Sequence, residues 1–128
     1  MKKELEDKIF NNFPKFFKDR NITEKSCMQD GFRCGDGWFQ LIWNTLKELQ
    51  NIGFVSEILQ VKEKLGELRI VMYNKTAGVM DILNDASNKS IQICEECGNT
   101  NDAKIRRGNY LKTLCTNCYK VEKEFLEK

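Results

Sequence analysis

The sequence predicts an α+β protein in which helices surround a β-hairpin and a four-cysteine finger of treble-clef or zinc-ribbon type closes the C-terminal end. Three observations carry that prediction. Apolar residues recur at three- and four-residue spacing in three stretches. They alternate at two-residue spacing on either side of Leu65-Gly66. Two CxxC pairs occur near the end of the chain. At 128 residues, with 41% hydrophobic and 31% charged residues and a single proline, the composition is globular and the length is that of one ordinary domain. A two-domain enzyme around a large closed cleft does not fit that length. The composition changes at about residue 91, which divides the chain into a helix-and-hairpin body, residues 1–90, and a finger, residues 91–128.

Residues 2–20 read as a helical region interrupted by Pro14, with Leu5, Ile9, Phe10, Phe13, Phe16 and Phe17 on its apolar face. Residues 21–37 are polar and end in Gly31, Gly35 and Gly37, the signature of an ordered loop leading into a helix with Asp36 as its N-cap. From Trp38, the positions Leu41, Ile42, Leu46, Leu49 and Ile52 keep helical period, and Gly53 suits the C-terminal cap. Trp38 is expected to pack inward. Trp43 lies off the main stripe and is the better surface contact of the two. Residues 57–64 and 67–73 then alternate through Leu59, Val61, Leu68, Ile70 and Met72, predicting a hairpin that turns near Gly66; a continuous helix through VKEKLGEL is the competing reading. The Lys62-Glu63-Lys64 run and Arg69 fall on its solvent face. Helical spacing returns over residues 76–88 through Val79, Met80, Leu83 and Ala86, with Asn88 to Ser90 as a polar stop.

Cys94 and Cys97 form one CxxC pair and Cys115 and Cys118 another, with 17 residues between the inner cysteines. That spacing suits a four-thiolate zinc site: each CxxC turn aims two sulfurs inward, and an intervening hairpin brings the pairs together into a tetrahedron about 2.3 Å from the metal. Gly98 fits the positive φ that closes such a turn. Lys104 to Arg107 and Tyr110 to Leu114 supply the hairpin around a Gly108-Asn109 turn, and a helix carrying Val121, Phe125 and Leu126 follows. Disulfides, a redox dithiol and core cysteines are the other readings of such pairs. One Zn²⁺ on four thiolates has no open position for water, so the expected metal is structural. A finger this short has too small a core to fold without it. Cys27 and Cys34, with six residues between them, read as small buried apolar residues, with a loop disulfide or extra metal contacts as alternatives.

The 21 Lys and Arg exceed the 19 Asp and Glu by two, so no whole-molecule field points to a polyanion. Four thiolates on one Zn²⁺ carry a net −2, which brings the chain to about zero. The finger nevertheless holds Lys104, Arg106, Arg107, Lys112 and Lys120 against Asp102, with Tyr110 and Tyr119 nearby. This patch suits phosphates and unpaired bases of RNA or DNA, or docking of a protein; a solvated basic face is the plain alternative. The chain has no histidine, no P-loop and no GxSxG, so no catalytic residue is assigned and a non-enzyme is expected. The N-terminal MKKELEDKIF lacks an apolar signal segment, and no window is apolar enough to span a membrane. A cytoplasmic protein without membrane partner or small-molecule substrate is the expectation.

The order Gly31-Phe32-Arg33-Cys34-Gly35-Asp36-Gly37-Trp38-Phe39, then Gln60-Val61-Lys62-Glu63-Lys64-Leu65-Gly66-Glu67-Leu68-Arg69, then the CEECG and LCTNC pairs, resembles a family of small phage and prophage proteins. Members carry a CGDGW segment, a VKEKFGGLR-like segment and a C-terminal zinc finger, and most have no assigned activity. The resemblance covers residues 13–120 and departs from the pattern at Leu65, usually Phe, and Glu67, usually Gly. It implies a phage accessory protein of the host cytoplasm, acting by binding a host protein or nucleoprotein such as a CRISPR effector, in the manner of an anti-CRISPR. A nucleic-acid-binding regulator contacting RNA or DNA through the basic hairpin is the alternative.

Overall fold

The computed structural model describes residues 1–108 and 110–126; Asn109, expected in the finger turn, and the side chains of Phe125 and Leu126 lie outside them. The element order is α1 (Lys3–Asn12), α2 (Phe39–Asn51), β1 (Ile58–Lys64), β2 (Glu67–Met72), α3 (Ala77–Ser90), β3 (Lys104–Arg107), β4 (Leu111–Leu114) and α4 (Thr116–Leu126). This is the predicted α+β architecture: β1 pairs with β2 and β3 with β4, each antiparallel. Among the described residues, no helix is long and apolar enough to cross a membrane.

Glu4 and Glu6 in the first turn of α1 favour its positive dipole end, and Pro14 stops the helix and opens a 3₁₀ turn, Pro14–Phe17. Phe10, Phe17 and Phe32 meet with ring centroids 5.2 to 5.6 Å apart, tying α1 to the glycine-bearing loop. That loop is ordered by β1: Cys27 N–H donates to Leu59 O at 2.8 Å, Arg33 N–H to Val61 O at 3.0 Å, and Glu63 N–H to Arg33 O at 2.9 Å.

A 3₁₀ turn, Asp36–Trp38, leads into α2, whose Leu41, Ile42, Leu46 and Leu49 are buried as the period requires. Gly53 at φ +80° stands just past its end and donates to Gln50 O. Two expectations need correction. Asp36 does not cap α2: the intervening 3₁₀ turn carries it away from the α2 amides, and its Oδ1 accepts from Lys2 N–H at 2.7 Å, where α1 begins. Trp43 is half-buried rather than a surface contact, because Phe13 meets it edge-on at 5.0 Å and Phe39, one turn earlier, extends the apolar stripe.

The hairpin turns through Leu65 (φ 54°) and Gly66 (φ 87°), flanked by the Lys64–Glu67 pair, which excludes a helix through this segment. Positive φ at both central residues is the mark of a type I′ turn. The alternation holds from Val61 to Met72 but fails at Leu59: a bulge between Ile58 and Gln60 inserts one residue, so Ile58 is fully buried where Leu59 was expected. Leu65 is the one non-glycine residue at positive φ among the described residues, and it is 63% exposed. Asn-Gly is the preferred pair for this turn, so Leu65→Asn should raise stability by roughly 1 kcal/mol in urea denaturation.

Thr76 Oγ1 accepts from Val79 N–H and caps α3, which runs to Ser90. The helix thus ends within the expected polar stretch, but Ser90 does more than stop it. Fully buried, its hydroxyl accepts from Leu68 N–H at 3.0 Å and donates to Ser87 O at 2.6 Å, joining α3 to β2. Met80 points outward at 48% exposure, and Ile82 with Leu83 packs against the core instead. The finger has its own small cluster of Cys94, Leu114 and Cys115, with Ala103, Cys118 and Tyr119 against it.

Candidate metal centre and its docking loop

Each cysteine pair of the predicted quartet is placed by a different local device. Cys94 and Cys97 sit on a turn closed by Gly98, at φ +83°, whose N–H donates to Cys94 O at 2.9 Å. Cys115 directly precedes α4 and Cys118 lies in its first turn, where burial and the neighbouring thiols push the Cys118 thiol up. Cys118 N–H donates to Cys115 Sγ at 3.5 Å, and that bond holds the Cys115 thiol below its ordinary range. The β3–β4 hairpin brings the pairs together. All four Sγ atoms lie within 4.8 Å of one another, and Cys97 and Cys115 Sγ are 3.7 Å apart. Tetrahedral zinc with bonds of about 2.3 Å calls for sulfurs about 3.8 Å apart, so the donor set fits one zinc ion. None of the six cysteines is in a disulfide.

Cys27 and Cys34 contribute nothing to this cluster. Cys34 is buried, and burial pushes its thiol up to about 12. Cys27 is exposed, contrary to expectation, because its backbone pairing to β1 leaves the neighbouring Ser26 and Met28 to turn inward.

The glycine-bearing loop meets the first zinc knuckle backbone to backbone, a relation that spacing alone does not disclose. Gly37 N–H donates to Glu95 O at 2.7 Å, Gly35 N–H to Glu95 Oε2 at 2.9 Å, and Trp38 Nε1–H to Ile93 O at 2.9 Å. A Cβ on Gly37 would collide with Cys94 O and Gly98 N, and one on Gly35 with Glu95 O. On the other side, Glu95 N–H donates to Thr113 O at 2.9 Å, and Thr113 Oγ1 donates to Gly66 O at 2.7 Å. The knuckle is thus seated between the loop before α2 and the tip of the β1–β2 hairpin.

Glu95, which CxxC spacing does not distinguish from exposed Glu96, is 5% exposed, and its Oε1 has no hydrogen-bond partner among the described residues. Burial pushes its carboxyl from 4.5 up to about 7. A folded value above the unfolded one means the native chain holds this proton more tightly. The stability so gained is present below the unfolded value and is lost as pH rises through 7. Glu95→Gln keeps an acceptor for Gly35 and carries no charge. Its advantage over the parent protein should grow across that window to roughly 1 to 3 kcal/mol at pH 8, read from urea denaturation at several pH values.

The basic residues of the finger divide into two groups. Arg106 is turned inward: Nε donates to Leu114 O at 2.8 Å, Nη2 to Asp102 O and Thr116 Oγ1 at 3.1 Å, and its guanidinium lies 5.2 Å from the Tyr119 ring centroid. Lys112 Nζ lies 3.4 Å from Glu122. Both brace the hairpin against α4. Lys104, Arg107 and Lys120 are exposed, as is Tyr110 at 73%, and these four face solvent. Comparison with protein-family models, with curated proteins and with solved structures gives no match for this chain.

Proposed function

We propose that this chain is a phage-type accessory protein that acts by macromolecular binding, with zinc as a structural ion and no catalytic residue. The four-thiolate site carries this reading. All four cysteines converge on one centre, leaving no open coordination position for substrate, and Arg106, Lys112, Glu95 and Thr113 are spent on holding the finger to itself and to the body. Such a scaffold presents surfaces rather than chemistry. The phage origin, the host cytoplasm as location and a counter-defence role against a nucleoprotein such as a CRISPR effector rest on the order of the CGDGW, VKEKLGELR and CxxC segments.

A protein or nucleoprotein partner is favoured over bare nucleic acid because two of the cations suited to phosphates, Arg106 and Lys112, already have partners. The second reading, direct RNA or DNA binding, draws on exposed Lys104, Arg107 and Lys120 beside exposed Tyr110. Capture from host lysate with and without nuclease separates the two. Nuclease-resistant recovery of one protein supports the first; recovery of nucleic acid alone, lost with glutamate at Lys104, Arg107 and Lys120, supports the second.

A further inference from the structure

We propose that the tip of the β1–β2 hairpin, Leu65 with Ile105 of the finger, is the docking point for a protein segment that is acidic and carries apolar side chains. This deepens the binding-protein reading above and rests on it. Leu65 is held at φ 54°, a conformation that Asn or Gly adopts at less cost, and it nevertheless presents an apolar side chain to water. Ile105, 40% exposed, lies directly over the turn: its Cγ1, Cγ2 and Cδ1 are 3.1 to 3.5 Å from where a Gly66 Cβ would stand. The two aliphatic side chains, contributed by different zones of the chain, therefore flank one glycine.

Their display is rigid. Gly66 N–H donates to Glu63 Oε2 at 2.7 Å, and Gly66 O accepts from Thr113 Oγ1 at 2.7 Å, so both polar groups of the turn glycine are satisfied from opposite sides. Rigid apolar display lowers the ordering cost of binding.

The surrounding charge selects the partner. Glu63 is engaged at the turn amide, and Glu67 is paired with Arg69 at 2.8 Å. Lys64, beside Leu65, and Arg107, on the same face of β3 as Ile105 by strand alternation, are exposed and carry no ion pair among those found in the described residues. An apolar centre whose rim sets Lys64 and Arg107 against the single carboxylate of Glu63 is net positive and matches an acidic protein segment with apolar anchors. Phosphate backbones have no use for the leucine and isoleucine. A second copy of this chain would bring like charges together.

The test pans a displayed random-peptide library on the zinc-loaded full chain. Expected are enriched sequences in which Asp or Glu flank Leu, Ile or Phe. A synthetic peptide of the leading sequence should lose at least tenfold in affinity for Leu65→Asn and for Ile105→Ser. Leu65→Asn has the better turn residue, so weaker binding by a protein that melts no lower is not a folding defect. Equal binding by the parent protein and Leu65→Asn, enrichment without acidic residues, or displacement of the peptide by an oligonucleotide overturns the proposal. The lysate capture described above, repeated with Leu65→Asn, keeps the two ideas apart: retained capture of the same host protein sinks the tip and leaves the binding function standing. Failure of the parent protein to capture any macromolecule counts against the binding function itself.

Discussion

Chelation of zinc is expected to unfold β3, β4 and α4 and, with them, to release the Gly35–Trp38 loop. The finger's apolar cluster has few buried members, and two of its three fully enclosed residues, Cys94 and Cys115, are themselves metal ligands. A cluster of that size does not offset the conformational entropy of some thirty residues at about 1 to 2 kcal/mol each. Structural zinc adds on the order of 10 kcal/mol in isolated fingers, enough to decide between folded and unfolded in a module whose own burial and hydrogen bonds fall short. The loop follows because its partners are knuckle atoms: Glu95 O and Glu95 Oε2 for the two glycine amides, and Ile93 O for the Trp38 indole. The measurement is a heteronuclear NMR spectrum before and after a strong chelator. The finger amides should collapse to unfolded positions and the Trp38 Nε1–H resonance should move, while the amides of α2 and the β1–β2 strands keep native dispersion. Cys94→Ser should reproduce the chelated spectrum. Zinc-free protein with an unchanged spectrum would show that the thiols hold this fold without metal.

Gly37→Ala is expected to cost about 3 kcal/mol or more, although alanine is the smallest substitution available. The added Cβ meets Cys94 O, Gly98 N and Glu95 O, all main-chain atoms of a turn that cannot yield without moving two zinc ligands. Gly53→Ala is the converse comparison: Gly53 has a φ of +80° that alanine adopts at a cost and Gly37 does not, but nothing lies within 4 Å of the new atom at Gly53. It should cost about 1 kcal/mol, the conformational term alone. Thermal denaturation of the two variants with zinc present tests the contrast. Similar costs at the two positions would mean that the loop and knuckle separate readily and that the close approach contributes little.

The parts of this molecule legible from the sequence are those set by neighbours along the chain. CxxC spacing, Gly98 after Cys97, Gly53 after Ile52 and the alternation about Gly66 are all local requirements of backbone geometry, and each appears where it was expected. Long-range partners are not written that way. Asp36 has the type and place of an N-cap, but it serves a helix more than thirty residues earlier in the chain. The bulge at Leu59 is invisible to a period-two pattern, because one inserted residue turns an alternation over without leaving a sequence mark. Arg106 and Arg107 are adjacent and chemically alike, yet strand alternation sends one inward to Tyr119 and leaves the other in water. Glu95 beside Glu96 poses the same problem. The signal for its burial lay sixty residues upstream, in two glycines separated by one residue, a spacing that permits close backbone approach as readily as it permits a flexible loop.

The seating of the knuckle on Gly35 and Gly37 also bears on how this chain can be rearranged. Near residue 91 the stabilising chemistry changes from apolar burial to metal, but hydrogen bonds cross that point from both sides, from Gly37 N–H to Glu95 O and from the Thr113 hydroxyl to Gly66 O. A fragment ending at residue 90 bares the Trp38 indole and two glycine amides. A grafted finger leaves the Thr113 hydroxyl and the Glu95 carboxylate without their receptors. Fusion, swapping or transplantation of the finger therefore has to carry the CGDGW loop and the hairpin tip along with it, because the groups that receive the finger, the Gly35 and Gly37 amides, the Trp38 indole and the Gly66 carbonyl, belong to the body and no redesign of the finger alone can supply them.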